Sequence, residues 1–163
     1  MLLDTPGTSA RRTLALDVGT RTIGVAVSDR LGIIAQGITT IRRTGLKADL
    51  KAIAALIDAH EVGHIVVGWP LQPDGRTGPM TRRVDRLAEP LARRSGLEVE
   101  RWDERFTTAL AERALIAGGA RRARRREVVD KVAATLILQS WLDARARNGN
   151  PRRATDPPDG DLG

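Results

Sequence analysis

The chain has no cysteine and no tyrosine, and only one phenylalanine and three tryptophans among 163 residues. Without cysteine there is neither a disulfide nor a thiolate metal site, which fits a reducing compartment. Aromatics make up 2% of the chain. That is too few for a platform on which single-stranded bases stack, so a nucleic-acid partner would be held by its backbone and shape. No apolar run approaches the length of a membrane span. Met1 to Arg12 lacks the apolar core of a signal peptide, so the expected location is the cytoplasm. The histidines, His60 and His64, flank a turn, away from the acids singled out below, and are not expected to bind metal.

Positive charge is abundant: 27 Lys and Arg against 20 Asp and Glu give a net charge of +7 and a sequence pI near 11.2. Residues 148–163 carry two Arg against three Asp, and residues 1–12 offset Arg11 and Arg12 with Asp4. The surplus therefore sits between the ends and favours a polyanion, nucleic acid before membrane. Arginine-rich coding bias is the bland alternative. The length fits one domain with a proper core. The expected division is a loose leader over 1–12, one domain over 13–147, and a disordered tail over 148–163, rich in Pro, Gly and Asp.

The most informative stretch is Thr13 to Ser28, two apolar β-branched runs around a Gly19-Thr20-Arg21 turn. It predicts a strand over Leu14–Val18 paired with one over Thr22–Ser28. A third strand is expected over Ile33–Ile41, after a turn at Asp29–Gly32. Leu46, Leu50, Ile53 and Ile57 recur at helical spacing and predict a helix over 47–60. His64–Trp69 reads as a buried strand, and Pro70–Gly78 as a loop. Met80, Val84, Leu87 and Leu91 mark a helix over about 79–94, which Pro90 should kink or end early. Leu97–Trp102 reads as another strand. A helix capped by Thr107 or Thr108 should run to about Ala117 and stop at Gly118-Gly119. The basic run Arg121–Arg126 reads as a linker, and Glu127 to about Arg147 as the last helix. Because the later strands alternate with helices, they should lie parallel to the first, with helices on both faces. Ligands of such sheets bind beyond the carboxyl ends of the strands.

Three acids fall at that rim. Asp17 lies near the carboxyl end of the first strand, Glu104 follows the last, and Asp130 lies in the first turn of the last helix, on a stripe with Ala134, Ile137 and Trp141. Asp17 could equally pair with a buried arginine or cap the turn, Glu104 could form a surface ion pair, and Asp130 could answer the helix dipole. Together the three suit a hard divalent cation, which prefers carboxylate and water oxygens. Two such ions could activate water and stabilise the leaving oxygen in phosphodiester cleavage.

The chain resembles the YqgF family of pre-16S rRNA nucleases, relatives of Holliday-junction resolvases. The blocks that carry the resemblance are Leu16-Asp-Val-Gly-Thr-Arg-Thr-Ile-Gly-Val-Ala-Val-Ser-Asp29, Val67-Gly-Trp-Pro-Leu-Gln-Pro-Asp-Gly75, Asp103-Glu-Arg-Phe-Thr-Thr108 and Val129-Asp-Lys-Val-Ala-Ala134. The resemblance implies an RNase H-like α/β fold, a mixed five-stranded sheet with one antiparallel strand. It implies Mg2+- or Mn2+-dependent nuclease chemistry on Asp17, Glu104 and Asp130, and trimming of the 5′ end of pre-16S rRNA in ribosome biogenesis. Junction resolution is the alternative. The chain departs from the wider RNase H-like pattern, in which an acid commonly ends the fourth strand: Gly68-Trp69-Pro70 offers none, so Glu104 must supply the second carboxylate from the neighbouring strand. Trp69 also replaces a smaller aliphatic residue.

Candidate contacts to a phosphate backbone are Arg21, Arg105, Arg121, Arg122, Arg124, Arg125, Arg126 and Lys131, each of which could instead be merely solvated. The expected partner is structured RNA or branched DNA, bound by a monomer or a homodimer. A resolvase would need a symmetric dimer to cut two strands. A non-catalytic RNA-binding or transcription-associated factor on the same scaffold is a further alternative. Asp17-Val-Gly-Thr20 also resembles the phosphate loop of actin-like ATPases, but those need two such domains and this chain has room for one.

Overall fold

The computed structural model describes residues 11–72, 74–104 and 122–148, with the backbone alone for 122–129. The described elements are β1 (Arg12–Val18), β2 (Thr22–Ser28), β3 (Ala35–Arg42), α1 (Leu46–Ala59), β4 (Val62–Trp69), α2 (Pro79–Ser95), β5 (Val99–Asp103) and α3 (Arg122–Arg147). The five strands form one sheet in the order β3-β2-β1-β4-β5. β2 is antiparallel to both β1 and β3, while β4 runs parallel to β1 and β5 parallel to β4. The sheet therefore has the expected single antiparallel strand.

The alternation of each strand sorts its side chains onto two faces. One face carries Leu14, Leu16, Ile23, Val25, Ile65 and Val67 and packs on Leu50 and Ile53 of α1 and Val84, Leu87 and Leu91 of α2. The other carries the smaller Ala15, Ala26 and Val66, and α3 lies on it through Ala134, Ile137, Leu138, Trp141 and Leu142. Small residues let that helix approach closely.

Several boundaries differ from expectation: β1 opens at Arg12, β4 at Val62 and β5 at Val99, and three further differences have a local reason. β3 begins at Ala35 rather than Ile33, because an Asp29 carboxylate oxygen captures the amides of Ile33 and Ile34 at 2.7 and 3.1 Å and prolongs the turn. α2 runs through Pro90 to Ser95. Burial of Leu87, Ala88 and Leu91 on either side of the proline outweighs the lost backbone bond. α3 begins at Arg122, so the basic run is helical from there on rather than a linker. Arginine is a good helix former. The helix expected over Thr107–Ala117 lies outside the described residues. Among the described residues, no helix is long and apolar enough to cross a membrane.

Candidate active site

Asp17 stands one residue before the end of β1, and its side chain shares the α3 face with Ala15. Both flanking strands present glycine at its level. On β2 its partner is Gly24. On β4, Val67 pairs with Leu16, so Gly68 is the next rung of the same ladder. A glycine inside a strand marks a place where something comes too close for a side chain. Here two different groups come close. A Cβ on Gly24 would meet the Asp130 backbone oxygen at 1.9 Å, and one on Gly68 would meet Glu104 Oε2 at 2.5 Å. Asp17 thus lies between the two gaps through which Asp130 and Glu104 reach the sheet.

The Thr22 hydroxyl donates a hydrogen bond to Asp130 Oδ2 and orients that carboxylate. Burial, reinforced by the charge of Glu104 and then of Asp130, pushes the Asp17 carboxyl up to about 8. Burial and the charge of Asp103 push the Glu104 carboxyl up as well. Glu104 and Asp130 are close enough to Asp17 to oppose its ionisation, and among the described residues no arginine pairs with Asp17. Among the described residues, no three His, Asp or Glu side chains stand in ready metal-ligating geometry. The bond from Thr22 engages one Asp130 oxygen. The donor set itself is made of hard carboxylate oxygens whose mutual repulsion a cation would relieve.

Asp130 is not in the first turn of its helix. α3 starts eight residues earlier, at Arg122, so the helix-dipole reading of this acid loses its basis. Arg21 is exposed at the tip of the β1–β2 turn. Lys131 is exposed, with its aliphatic stem against Gly37, whose absent Cβ would lie 2.8 Å from Lys131 Cγ. Arg122, Arg124, Arg125 and Arg126 are in the first turns of α3, while Arg105 and Arg121 lie outside the described residues. His64 is buried toward the opposite end of β4, stacked on Trp141 with ring centroids 5.2 Å apart. Trp69 packs at the edge of the α1–α2 core, under the guanidinium of Arg101 at 5.1 Å, and Arg101 is itself paired with Asp85.

Sequence reasoning missed Thr22, Gly24 and Gly68 as parts of this site. The lone glycine in an otherwise β-branched strand was the available signal for Gly24. The missing acid at Gly68 reads differently in the structure: its lack of a side chain is what admits Glu104.

A family model described as "RuvX: Holliday junction resolvase" matches residues 11–144. A Myxococcus xanthus (strain DK1622) protein named "Putative pre-16S rRNA nuclease" is 57% identical over 133 residues, 82% of this chain and 88% of that protein. A Geobacillus kaustophilus (strain HTA426) protein of the same name is 49% identical over 136 residues, 82% of this chain and 99% of that protein. Among solved structures, T. thermophilus RuvC in complex with Holliday junction substrate superposes with a TM-score of 0.50 at 15% identity, covering 83% of this chain and 96% of that one. At that identity the likeness speaks for the RNase H-like fold alone.

Proposed function

Because the chain belongs to the RuvX family, we propose that it is a nuclease that hydrolyses phosphodiester bonds at the Asp17–Glu104–Asp130 rim, and that its substrate is the 5′ leader of pre-16S rRNA in the cytoplasm. The observation that carries the site is the half-buried Asp17, set between the two strand glycines at which Asp130 and Glu104 reach the sheet; its carboxyl is pushed up to about 8 by burial and by those two acids. A divalent cation, Mg2+ or Mn2+, would be held by Asp17, Glu104 and Asp130, and would supply an acidified water and a counter-charge for the leaving oxygen. The chain's own groups do the rest. Thr22 holds the Asp130 carboxylate. Gly68 leaves the space that Glu104 occupies. Arg21 and Lys131, exposed at the site's margin, are suited to phosphate contacts, as are Arg105 and the arginines of 121–126.

The test is cleavage by the full chain of a pre-16S 5′ leader RNA and of a four-way DNA junction, with Mg2+, with Mn2+ and with EDTA. The expected result is metal-dependent cutting of the RNA. Cutting of the junction with the RNA left intact would transfer the reading to a resolvase. Binding of RNA without cutting under either metal would make the chain a binding factor.

The basic run has its own expectation. Changing Arg121, Arg122, Arg124, Arg125 and Arg126 to Ala should weaken RNA binding and flatten its dependence on salt. Each lost phosphate contact takes about 0.7–0.9 from the slope of log K against log salt. An unchanged slope would show that these arginines do not touch phosphate.

A further inference from the structure

The turn between β1 and β2 has its backbone tied down from below. Within it, the Gly19 amide donates to the Thr22 carbonyl at 2.9 Å. Two of its carbonyls meet Arg43, which follows β3. The Arg43 guanidinium donates through Nη1 to the Gly19 oxygen at 2.9 Å, and the Arg43 amide donates to the Arg21 oxygen at 2.8 Å. The other side of the guanidinium, Nε, donates to Asp49 Oδ2 at 2.9 Å. Asp49, in the first turn of α1, is only 2% exposed, and its second oxygen accepts the Thr44 amide at 3.2 Å.

A buried ion pair is a poor source of net stability, since an apolar pair of similar size often does as well. What it fixes is geometry, because a planar guanidinium has bonding directions set by its fork. The loop it holds begins two residues after Asp17 and ends immediately before Thr22, the residue that orients Asp130.

We propose that Arg43 and Asp49 are positioning residues for the active site: through the Gly19 and Arg21 carbonyls they fix the turn that sets Asp17 and the Thr22–Asp130 bond. They touch neither substrate nor reacting atoms. The role rests on the nuclease reading above, so its test includes a measurement that needs no cleavage.

Arg43→Lys keeps the charge but cannot bridge Asp49 and Gly19 with one planar group. Asp49→Asn keeps the shape but sets an amide donor or a weakened acceptor against the guanidinium. In either variant, backbone hydrogen exchange in a peptide covering 16–24 should quicken by about tenfold or more, with protection of the α3 peptides retained. On pre-16S leader RNA, kcat should fall about 10–100-fold, the size expected of a slight misplacement, with KM within about threefold. Unchanged exchange at 16–24 in both variants would overturn the proposal. So would a loss confined to KM, or a loss of kcat that merely tracks global unfolding by melting. If the wild type cuts no RNA, the nuclease reading fails, and the exchange measurement still decides whether the pair holds the turn.

Discussion

Asp17→Asn should lower RNA cleavage by about 10³-fold or more and, in the absence of divalent metal, make the protein more stable at pH 8. The two effects share one cause. The folded protein raises the Asp17 carboxyl to about 8 from an ordinary value of 3.8. Between those values the folded chain keeps a proton that the unfolded chain releases. The contribution of this group is therefore fully present below about pH 4, declines as pH rises toward 8, and is constant beyond. Asparagine imitates the protonated acid and has no such decline. With each kcal/mol worth about 2–4 °C in a domain of this size, the variant should melt about 5–10 °C above wild type at pH 8 and level with it at pH 4. Added Mg2+ should raise the wild-type melting temperature at pH 8 by mass action and leave the variant unmoved. Equal melting curves at pH 8, or surviving cleavage, would remove Asp17 from the centre of the site.

The two strand glycines should separate fold from activity. At Gly24 an alanine methyl would strike the Asp130 carbonyl, with its oxygen at 1.9 Å and its carbon at 2.3 Å. Helix backbone cannot step aside, so α3 must lift from the sheet and loosen its packing on Ala15, Ala26 and Val66. A loss of about 3 kcal/mol or more is expected, together with all activity. At Gly68 the methyl would meet Glu104 Oε2 at 2.5 Å and Ile137 Cδ1 at 2.7 Å, both ends of movable side chains. Gly68→Ala should therefore cost about 1–2 kcal/mol, yet lower kcat about 10²-fold by expelling Glu104. Urea unfolding beside single-turnover cleavage reads both. A Gly68→Ala enzyme with normal kcat would show that Glu104 need not stand there.

The sheet was legible from sequence because its signals are local. β-branched runs around a Gly-Thr-Arg turn can only pair as neighbours, and alternation of later strands with helices makes them parallel. Asp17 stood out for the same reason, as a charge in a run that the fold buries. Thr22, Gly24 and Gly68 did not stand out, because their roles depend on which residue of a distant strand or helix lies opposite, and periodicity says nothing of register. The start of α3 was misjudged because a run of arginines was read for its charge and not for its helix propensity. Pro90 was overweighted because the burial on either side of it belongs to the tertiary structure, not to the local sequence.

α3 descends across the sheet from Asp130, over Gly24, to Trp141, beside His64. Its first eight residues, Arg122 to Val129, continue the helix on the rim side of Asp130 for about 12 Å at 1.5 Å per residue. Four of the arginines ride on that stretch at fixed intervals from the acid. If those arginines grip phosphate as proposed, the rise of one helix sets the distance from a held phosphate to the acid, as the beam of a calliper sets its jaws.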